Sequence, residues 1–298
     1  MRVLVTGGKG FLGAWIIRRL SARGFDVRVL DRVDDRGLVG VIAGGEAASR
    51  VDWRCGDIAS TETTLAAADG CDAIVHLAGV LTPDCAADPV RGAQINLIGT
   101  LNVFEAARAH RVDRLIYASS AGVFGPHDGA TPSPHSHYGA FKLACEGSAR
   151  AYFNDHRLSS VGFRPYIVYG PGRETGLTAG PTLACRAAAR GEDYTIGYSG
   201  RAGLVFVDDV AAAYEAALLR APDGAHVFNI NGASATNDDV ISAIRRIVPD
   251  ARLACRGPAL STPEALADDN LGAVLPGLPR TKLADGVERT IDFYRRDF

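Results

Sequence analysis

The feature that most constrains this chain is an alternation. Over residues 1–165, short runs rich in Val, Ile and Leu (3–6, 26–31, 51–55, 73–77, 114–119 and 160–164) are separated by longer helical patterns (11–23, 62–68, 90–110 and 137–156). The short runs mostly lack polar alternation, as strands buried on both faces do. Strand and helix in repetition imply right-handed crossovers, and hence one parallel sheet with helices on both faces. In such a doubly wound α/β sheet, ligands bind beyond the carboxyl ends of the strands. The residues that follow each run are therefore where chemistry is to be sought.

Beyond Arg164 the texture changes. The stretch 169–181 is too rich in Gly and Pro for a helix and reads as a loop layer over the sheet. A helix over 181–190, a short strand over 204–207 and a helix over 208–220 follow. The last opens with Asp208 and Asp209 at its positive end. The tail mixes short helices with Pro and Gly breaks and closes on a helix over 281–295. The expected division is a sheet domain at 1–169, rejoined by 203–231, and a smaller C-terminal lobe at 170–298 that covers the substrate.

Composition excludes several classes. Net charge is −2 with no block of like charge, so the chain lacks the basic footprint of a nucleic-acid or membrane-surface protein. The six cysteines are scattered without CxxC pairs or Cys/His clusters, which points to reduced thiols and no metal site. No apolar run approaches 18 residues, and the N-terminus runs directly into a core strand. A cytoplasmic protein is expected.

Thr6-Gly7-Gly8-Lys9-Gly10-Phe11-Leu12-Gly13 joins the first strand to the first helix. Glycines at 7, 10 and 13 permit a tight turn, let backbone N–H groups approach a pyrophosphate, and let helix pack on strand. Phe11 and Leu12 open the helix whose positive end then faces the phosphates. Asp31 ends the second strand, where a carboxylate accepts from adenosine ribose hydroxyls and repels a 2′-phosphate. NAD rather than NADP is expected, with Arg32 as a neighbouring charge that offsets the acid. After the third strand, Asp57 suits the adenine amino group and Ile58 the ring face, helix capping being the other use of Asp57. Leu77, Ala78 and Gly79 close the fourth strand as close approach to a dinucleotide requires, and His76 reads as a packed strand residue.

Tyr138 and Lys142 lie four apart at the start of a helical pattern, so phenol and ammonium share one face. The ammonium favours a phenolate and makes the tyrosine usable as an acid/base; it also suits ribose hydroxyls. Ser119 and Ser120 directly follow the fifth strand, where the Ser120 hydroxyl can polarise a substrate oxygen and Ser119 is a candidate cofactor contact, turn capping being the other use of both. The loop between serine and tyrosine carries His127, Pro132, Pro134, His135 and His137, read as solvent-exposed unless substrate reaches them.

Together with HLAG at 76–79, Asn96, RPYIVYGPGR at 164–173 and FVDDVA at 206–211, these segments carry a resemblance. From Met1 to about Val210 the chain resembles the extended short-chain dehydrogenase/reductase superfamily and, within it, the NAD-dependent epimerase/dehydratase family. The resemblance implies a Rossmann-type fold, Tyr138 as acid/base, Lys142 supporting it and gripping the ribose, and Ser120 polarising the substrate. It places Asn96 in support of the site and Pro165, Tyr166 and Ile167 beside the nicotinamide. It also implies a homodimer through the helices at 90–110 and 137–156.

Departures narrow the reaction. The family's sugar dehydratases carry an Asp-Glu pair where this chain has Ala121 and Gly122. Its nucleotide-sugar epimerases carry Asn where Ile167 stands, and an Arg where Ala202 stands, with Arg201 one position off and recoverable by a one-residue loop shift. The expected function is NAD-dependent hydride transfer at a secondary alcohol of a sugar or sugar-acid-like substrate, with Thr82, Arg173 and Thr178 as candidate substrate contacts. An epimerase with tightly bound NAD acting on a (nucleotide-)sugar is the alternative. A non-catalytic dinucleotide sensor stands third, since it would not need Tyr138, Lys142 and Ser120 together.

Overall fold

The computed structural model describes residues 1–126, 128–220 and 222–296, so His127 lies outside the described residues. The chain enters as β1 (Arg2–Thr6), whose Val3, Leu4 and Val5 are fully buried, and turns into α1 (Phe11–Ala22). β2 (Asp26–Asp31), two short helices α2 (Gly37–Ala43) and α3 (Gly45–Arg50), β3 (Asp52–Cys55) and α4 (Thr61–Ala68) follow. Then come β4 (Ala73–His76), α5 (Thr82–Ala87), α6 (Pro89–Ala93), a π-helical turn (Gln94–Ile98) and α7 (Gly99–Ala109). β5 (Leu115–Ala118), α8 (His137–His156) and β6 (Ser160–Pro165) complete the alternation.

The C-terminal part is more broken. It runs β7 (Ile167–Tyr169), α9 (Gly180–Arg190), β8 (Tyr194–Ile196), β9 (Arg201–Phe206), α10 (Val207–Arg220) and β10 (Ala225–Ile230). It ends with β11 (Ala233–Thr236), α11 (Asn237–Ile247), β12 (Leu253–Cys255), α12 (Leu271–Val274) and α13 (Leu283–Arg296). Among the described residues the central sheet has seven strands in the order β10-β6-β5-β4-β1-β2-β3, every pair parallel. β7, β9 and β11 form a separate sheet, and β8 pairs with β12.

The strand order reverses beside β1: the chain winds outward to β2 and β3, then returns to β4 on the other side. A crevice opens beyond the carboxyl ends of β1 and β4, where a doubly wound sheet takes its ligand. β10 joins β6 at the far edge, and α10 is tied to α1 by Arg19, which donates to Asp208 and Glu215 at 2.8 Å each.

Three departures from the sequence reading have local causes. The segment 90–110 is two helices around a π-helical turn, which turns the Asn96 carbonyl to Thr100 Oγ1 at 2.6 Å and Cys145 Sγ at 3.3 Å. α2 and α3 are split by Gly44 at φ +92°, and four glycines between 37 and 45 blur their period. β7, β8, β11 and β12 are three or four residues long, too short for a pattern to show.

His76 cross-braces the sheet. Its Nδ1 lies 2.7 Å from Thr6 Oγ1 and its Nε2 lies 2.9 Å from Thr100 Oγ1. Thr100 spends its proton on the Asn96 carbonyl, so it accepts from His76 Nε2–H, and Nδ1 accepts from Thr6. Thr6 Oγ1 in turn accepts from the N–H groups of Leu77 and Ala78 at 3.2 Å. Burial, with the Lys142 charge adding to it, holds this imidazole down to about 3. An unfolded histidine titrates near 6.5. Below that value the unfolded chain takes up a proton that the native state refuses, so stability is full above pH 6.5 and falls as pH drops toward 3. Urea unfolding at pH 7 and pH 5 should show about 2 kcal/mol of loss from this residue. His76→Gln should lack that component; identical pH slopes in the two proteins would refute the assignment.

Candidate active site

The crevice is built from backbone at its floor. Gly7 has φ +73°, and a Cβ there would stand 2.8 Å from Ala78 N; a Cβ on Gly13 would stand 2.6 Å from Gly7 O. The turn after β1, the start of α1 and the end of β4 thus meet where no side chain fits. Gly10 precedes α1 and no side chain caps that helix, so its first N–H groups remain for an anion. Phe11 and Leu12 are half-buried on its first turn.

Asp31 stands at the end of β2 with each carboxylate oxygen accepting a backbone N–H, from Lys9 at 3.1 Å and Arg32 at 2.8 Å. Arg32 therefore meets Asp31 through its main chain, and its side chain is exposed. The nearby cations Lys9 and Arg36 are paired with Asp35 and Asp34 rather than left for a 2′-phosphate.

Asp57 is not a helix cap. Ser60 caps α4 by accepting from Thr63 N at 3.2 Å. Asp57 instead accepts from Ala59 N at 2.9 Å and from Arg91 at 2.6 Å, and these two bonds hold its carboxyl below the usual range. Ile58 is 6% exposed and packs on Gly99, where a Cβ would come within 2.9 Å of it. Its side chain belongs to the core beneath α7, because the missing Cβ at 99 makes room for it there.

On the catalytic side, Lys142 is 3% exposed and donates to the carbonyl of Ala118, at the end of β5, at 2.8 Å. Its Nζ lies 5.7 Å from the centre of the Tyr138 ring. Ser120 Oγ accepts from Gly122 N at 3.0 Å and keeps its own proton. A Cβ on Gly122 would stand 3.3 Å from Ser120 Oγ and 3.6 Å from Tyr138 Cδ1, so serine and phenol flank one glycine. A Cβ on Gly139 would lie 2.0 Å from Gly122 O, which is why α8 approaches this turn so closely. At 121 and 122 there is no carboxylate.

Asn96 is fully buried on the π-helical turn, its amide donating to Val80 O at 3.1 Å and Gly92 O at 3.2 Å. Its Oδ1 is unpartnered and would lie 2.6 Å from a Cβ on Gly79. Leu77 and Ala78 line the floor beside Gly7. Ser119 differs from its neighbour: it is 2% exposed and its hydroxyl is spent on Glu146. The Tyr166 OH meets Thr262 Oγ1 at 3.0 Å and the Pro263 carbonyl. Pro165 ends β6, and Ile167 is buried in β7.

Arg173 and Thr178 are brought together at 3.3 Å on the loop between β7 and α9. Trp15, donating to Pro171 O at 3.0 Å, and Tyr294, accepting from Gly172 N at 3.1 Å, pin that loop to α1 and α13. The Arg173 guanidinium lies 5.7 Å from the Phe11 ring. Burial lowers its pKa, the neighbouring Tyr138 and Tyr198 act the other way, and no acid among the described residues balances it. Thr82 is exposed at the start of α5 and lines an open cleft with Pro134, His135, Ser136 and His137. Arg201 stays outside: it is fixed opposite Thr236 in the sheet register and bonded to Ser234 O at 3.2 Å, while Ala202 is buried. Glu146 and Arg91 carried no sequence signal, because their partners are distant in the chain; nor did Tyr198, whose buried hydroxyl has no hydrogen-bond partner among the described residues.

Comparison with known proteins agrees with this geometry. Residues 3–231 match the sequence profile described as NAD dependent epimerase/dehydratase family. A UDP-glucose 4-epimerase of Mycolicibacterium smegmatis is 32% identical over 313 residues, covering 99% of both chains. The crystal structure of Thermus thermophilus UDP-glucose 4-epimerase in complex with NAD superposes with a TM-score of 0.85 at 28% identity, over 99% of each chain. MoeE5 in complex with UDP-glucose and NAD gives a TM-score of 0.84 at 26% identity, over 100% of this chain and 99% of that one.

Asp31→Ala should weaken NAD binding about tenfold, the worth of a charge-assisted hydrogen-bond pair to a diol. Calorimetry should also show the gap between NAD and NADP narrowing. An unchanged NAD affinity would remove Asp31 from the ribose site.

Proposed function

Since the chain belongs to the NAD-dependent epimerase/dehydratase family, we propose that it oxidises a secondary alcohol of a sugar or sugar-acid-like substrate, with Tyr138 as acid/base. The observation that carries this is the buried Lys142 ammonium, satisfied at 2.8 Å by the Ala118 carbonyl and set 5.7 Å from the Tyr138 ring. NAD bound along the crevice supplies the hydride acceptor. Tyr138 takes the hydroxyl proton as the alcohol carbon gives up its hydrogen with both electrons, leaving a carbonyl. Lys142 stabilises the phenolate charge, and its remaining N–H groups suit the ribose hydroxyls. Ser120 keeps its proton and donates a hydrogen bond through it to the substrate oxygen. Asp31 takes the adenosine ribose, Gly7, Gly10 and Gly13 admit the pyrophosphate, and Asn96 supports the site from below.

Arg173, with Thr178, is the substrate contact we assign to an anionic group, because a half-buried guanidinium without an acid partner calls for one. Thr82 lines the open side. We take 1–169 with 203–231 as the dinucleotide-binding domain and 170–298 as the substrate lobe. A homodimer would pair through α6, α7 and α8, where Val90 and Ile98 are 71% and 44% exposed. A cytoplasmic location suits the free cysteines.

A second reading, epimerisation of a nucleotide-sugar with NAD retained, is favoured by the full-length likeness to UDP-glucose 4-epimerases. Against it stand the aliphatic Ile167, the buried Ala202 and the engagement of Arg201 elsewhere. Protein denatured after purification, assayed for released NAD, and native protein screened with aldoses, uronic acids and UDP-sugars for NADH formation separate the two. Stoichiometric NAD with no NADH from any of them supports the epimerase. Tyr138→Phe should lower turnover by about 10²–10⁴-fold, as loss of an essential acid/base does, with NAD affinity unchanged; normal turnover ends the mechanism. Arg173→Leu should raise KM for an acidic substrate about tenfold or more; an unaltered KM removes Arg173 from the site.

A further inference from the structure

One face of α8 carries Tyr138, Lys142 and Glu146, each four residues after the last. Lys142 reaches the carbonyl of Ala118, and Glu146 reaches the next residue, accepting from Ser119 Oγ at 2.5 Å. Glu146 is fully buried, as is Ser119 at 2% exposure. Burying a carboxylate demands a cation, and Arg164 supplies it from β6 through two bonds, Nε to Oε1 at 2.7 Å and Nη2 to Oε2 at 2.5 Å. The same guanidinium lies 5.0 Å from the ring of Phe124, which closes the turn Ala121–Val123. Ala118 is paired with Phe163 in the sheet, so Arg164 follows alongside Ser119.

Two adjacent residues at the end of β5 are thus fastened to two side chains one helical turn apart on α8. A single anchor would leave the helix free to pivot about it; two fix its rotation and its height against the strand. The next residue along the strand is Ser120 and the next residue up the helix face is Tyr138. We propose that Glu146, held by Arg164 and Ser119, is a positioning residue that sets the distance between Ser120 and Tyr138. This rests on the reading of Tyr138 and Ser120 as reacting groups, and it adds a residue pair that touches neither substrate nor cofactor. Nothing in Glu146 transfers a proton to substrate; its role is geometric.

The test is hydrogen exchange on the full chain with NAD bound, following the segment 118–124 against β1 and α1. Ser119→Ala removes one hydroxyl and leaves the buried ion pair intact, so it folds even where Glu146→Gln does not. Exchange in 118–124 should rise at least tenfold in Ser119→Ala and Glu146→Gln, stay within threefold in Ser119→Thr, and be unchanged in β1 and α1. With any alcohol that the wild type turns over, kcat should fall roughly 10- to 100-fold in the Ala and Gln variants with KM nearly constant. Wild-type protection of 118–124 in Ser119→Ala, or a loss spread equally over β1 and α1, overturns the proposal. Turnover surviving in Tyr138→Phe would instead sink the catalytic reading while leaving the exchange result standing.

Discussion

A buried ammonium without a carboxylate at hand is expensive to keep, and Lys142 is such a group. It is tolerated because the end of β5 presents a carbonyl at 2.8 Å and because the crevice beside it takes polar ligands. The arrangement dictates much else. The helix bearing Lys142 must come close enough to the strand for its amine to reach, and that approach is possible only because Gly139 faces Gly122 with no side chain between them. Gly79, where a Cβ would lie 3.7 Å from the amine, leaves the space beside it open. The geometry around Lys142 and Tyr138 is therefore set by absences of side chains as much as by the polar groups it holds.

The same logic holds at the cofactor end. Gly7 against Ala78 and Gly13 against Gly7 bring three pieces of main chain within contact distance, and the helix that leaves this junction has no capping side chain. Three threonine and histidine side chains, Thr6, His76 and Thr100, then link β1, β4 and α7 in one chain of hydrogen bonds that ends on the Asn96 carbonyl. Through Cys145, which also donates to that carbonyl, the chain reaches α8. The crevice floor around Gly7 and the helix α8 are mechanically one unit.

How much of this the sequence disclosed depends on whether the partners were neighbours in the chain. The inner strands β1, β4 and β5 stand out because burial on both faces leaves them almost wholly apolar, whereas the edge strand β3 (Asp52–Cys55) is half exposed and was legible only through its place in the alternation; Tyr138 with Lys142 stands out because a helix puts residues four apart on one face. Asp57 misled in part, since its alternative use as a cap fell to Ser60, three residues on. Ile58, read as a ring contact, packs on Gly99, a contact that no local spacing announces because it is 41 residues away. Ser119 and Ser120 are indistinguishable in sequence. Strand alternation turns the first inward to Glu146 and leaves the second beside the crevice, and only the position of Glu146, 27 residues away, reveals which is which.

The lobe is where inference from the sequence thins, and the reason is physical. Its strands are three to six residues long, and its apolar residues (Val240, Ile244, Leu253, Val287, Ile291) join the core from segments far apart in the chain, with long-range bonds such as Asn237 to Tyr198 O at 2.7 Å. Such a surface can change its lining without disturbing the sheet below. Relatives that share the floor can therefore differ in what they hold above it. In this chain that part of the molecule carries Arg173 bonded to Thr178 and the unpartnered hydroxyl of Tyr198, and a buried Ala202 where relatives carry an arginine. Arg173, beside the first turn of α1 and without an acid partner among the described residues, is thus held by the lobe rather than by the sheet, so the charge presented above the floor can change while the floor does not.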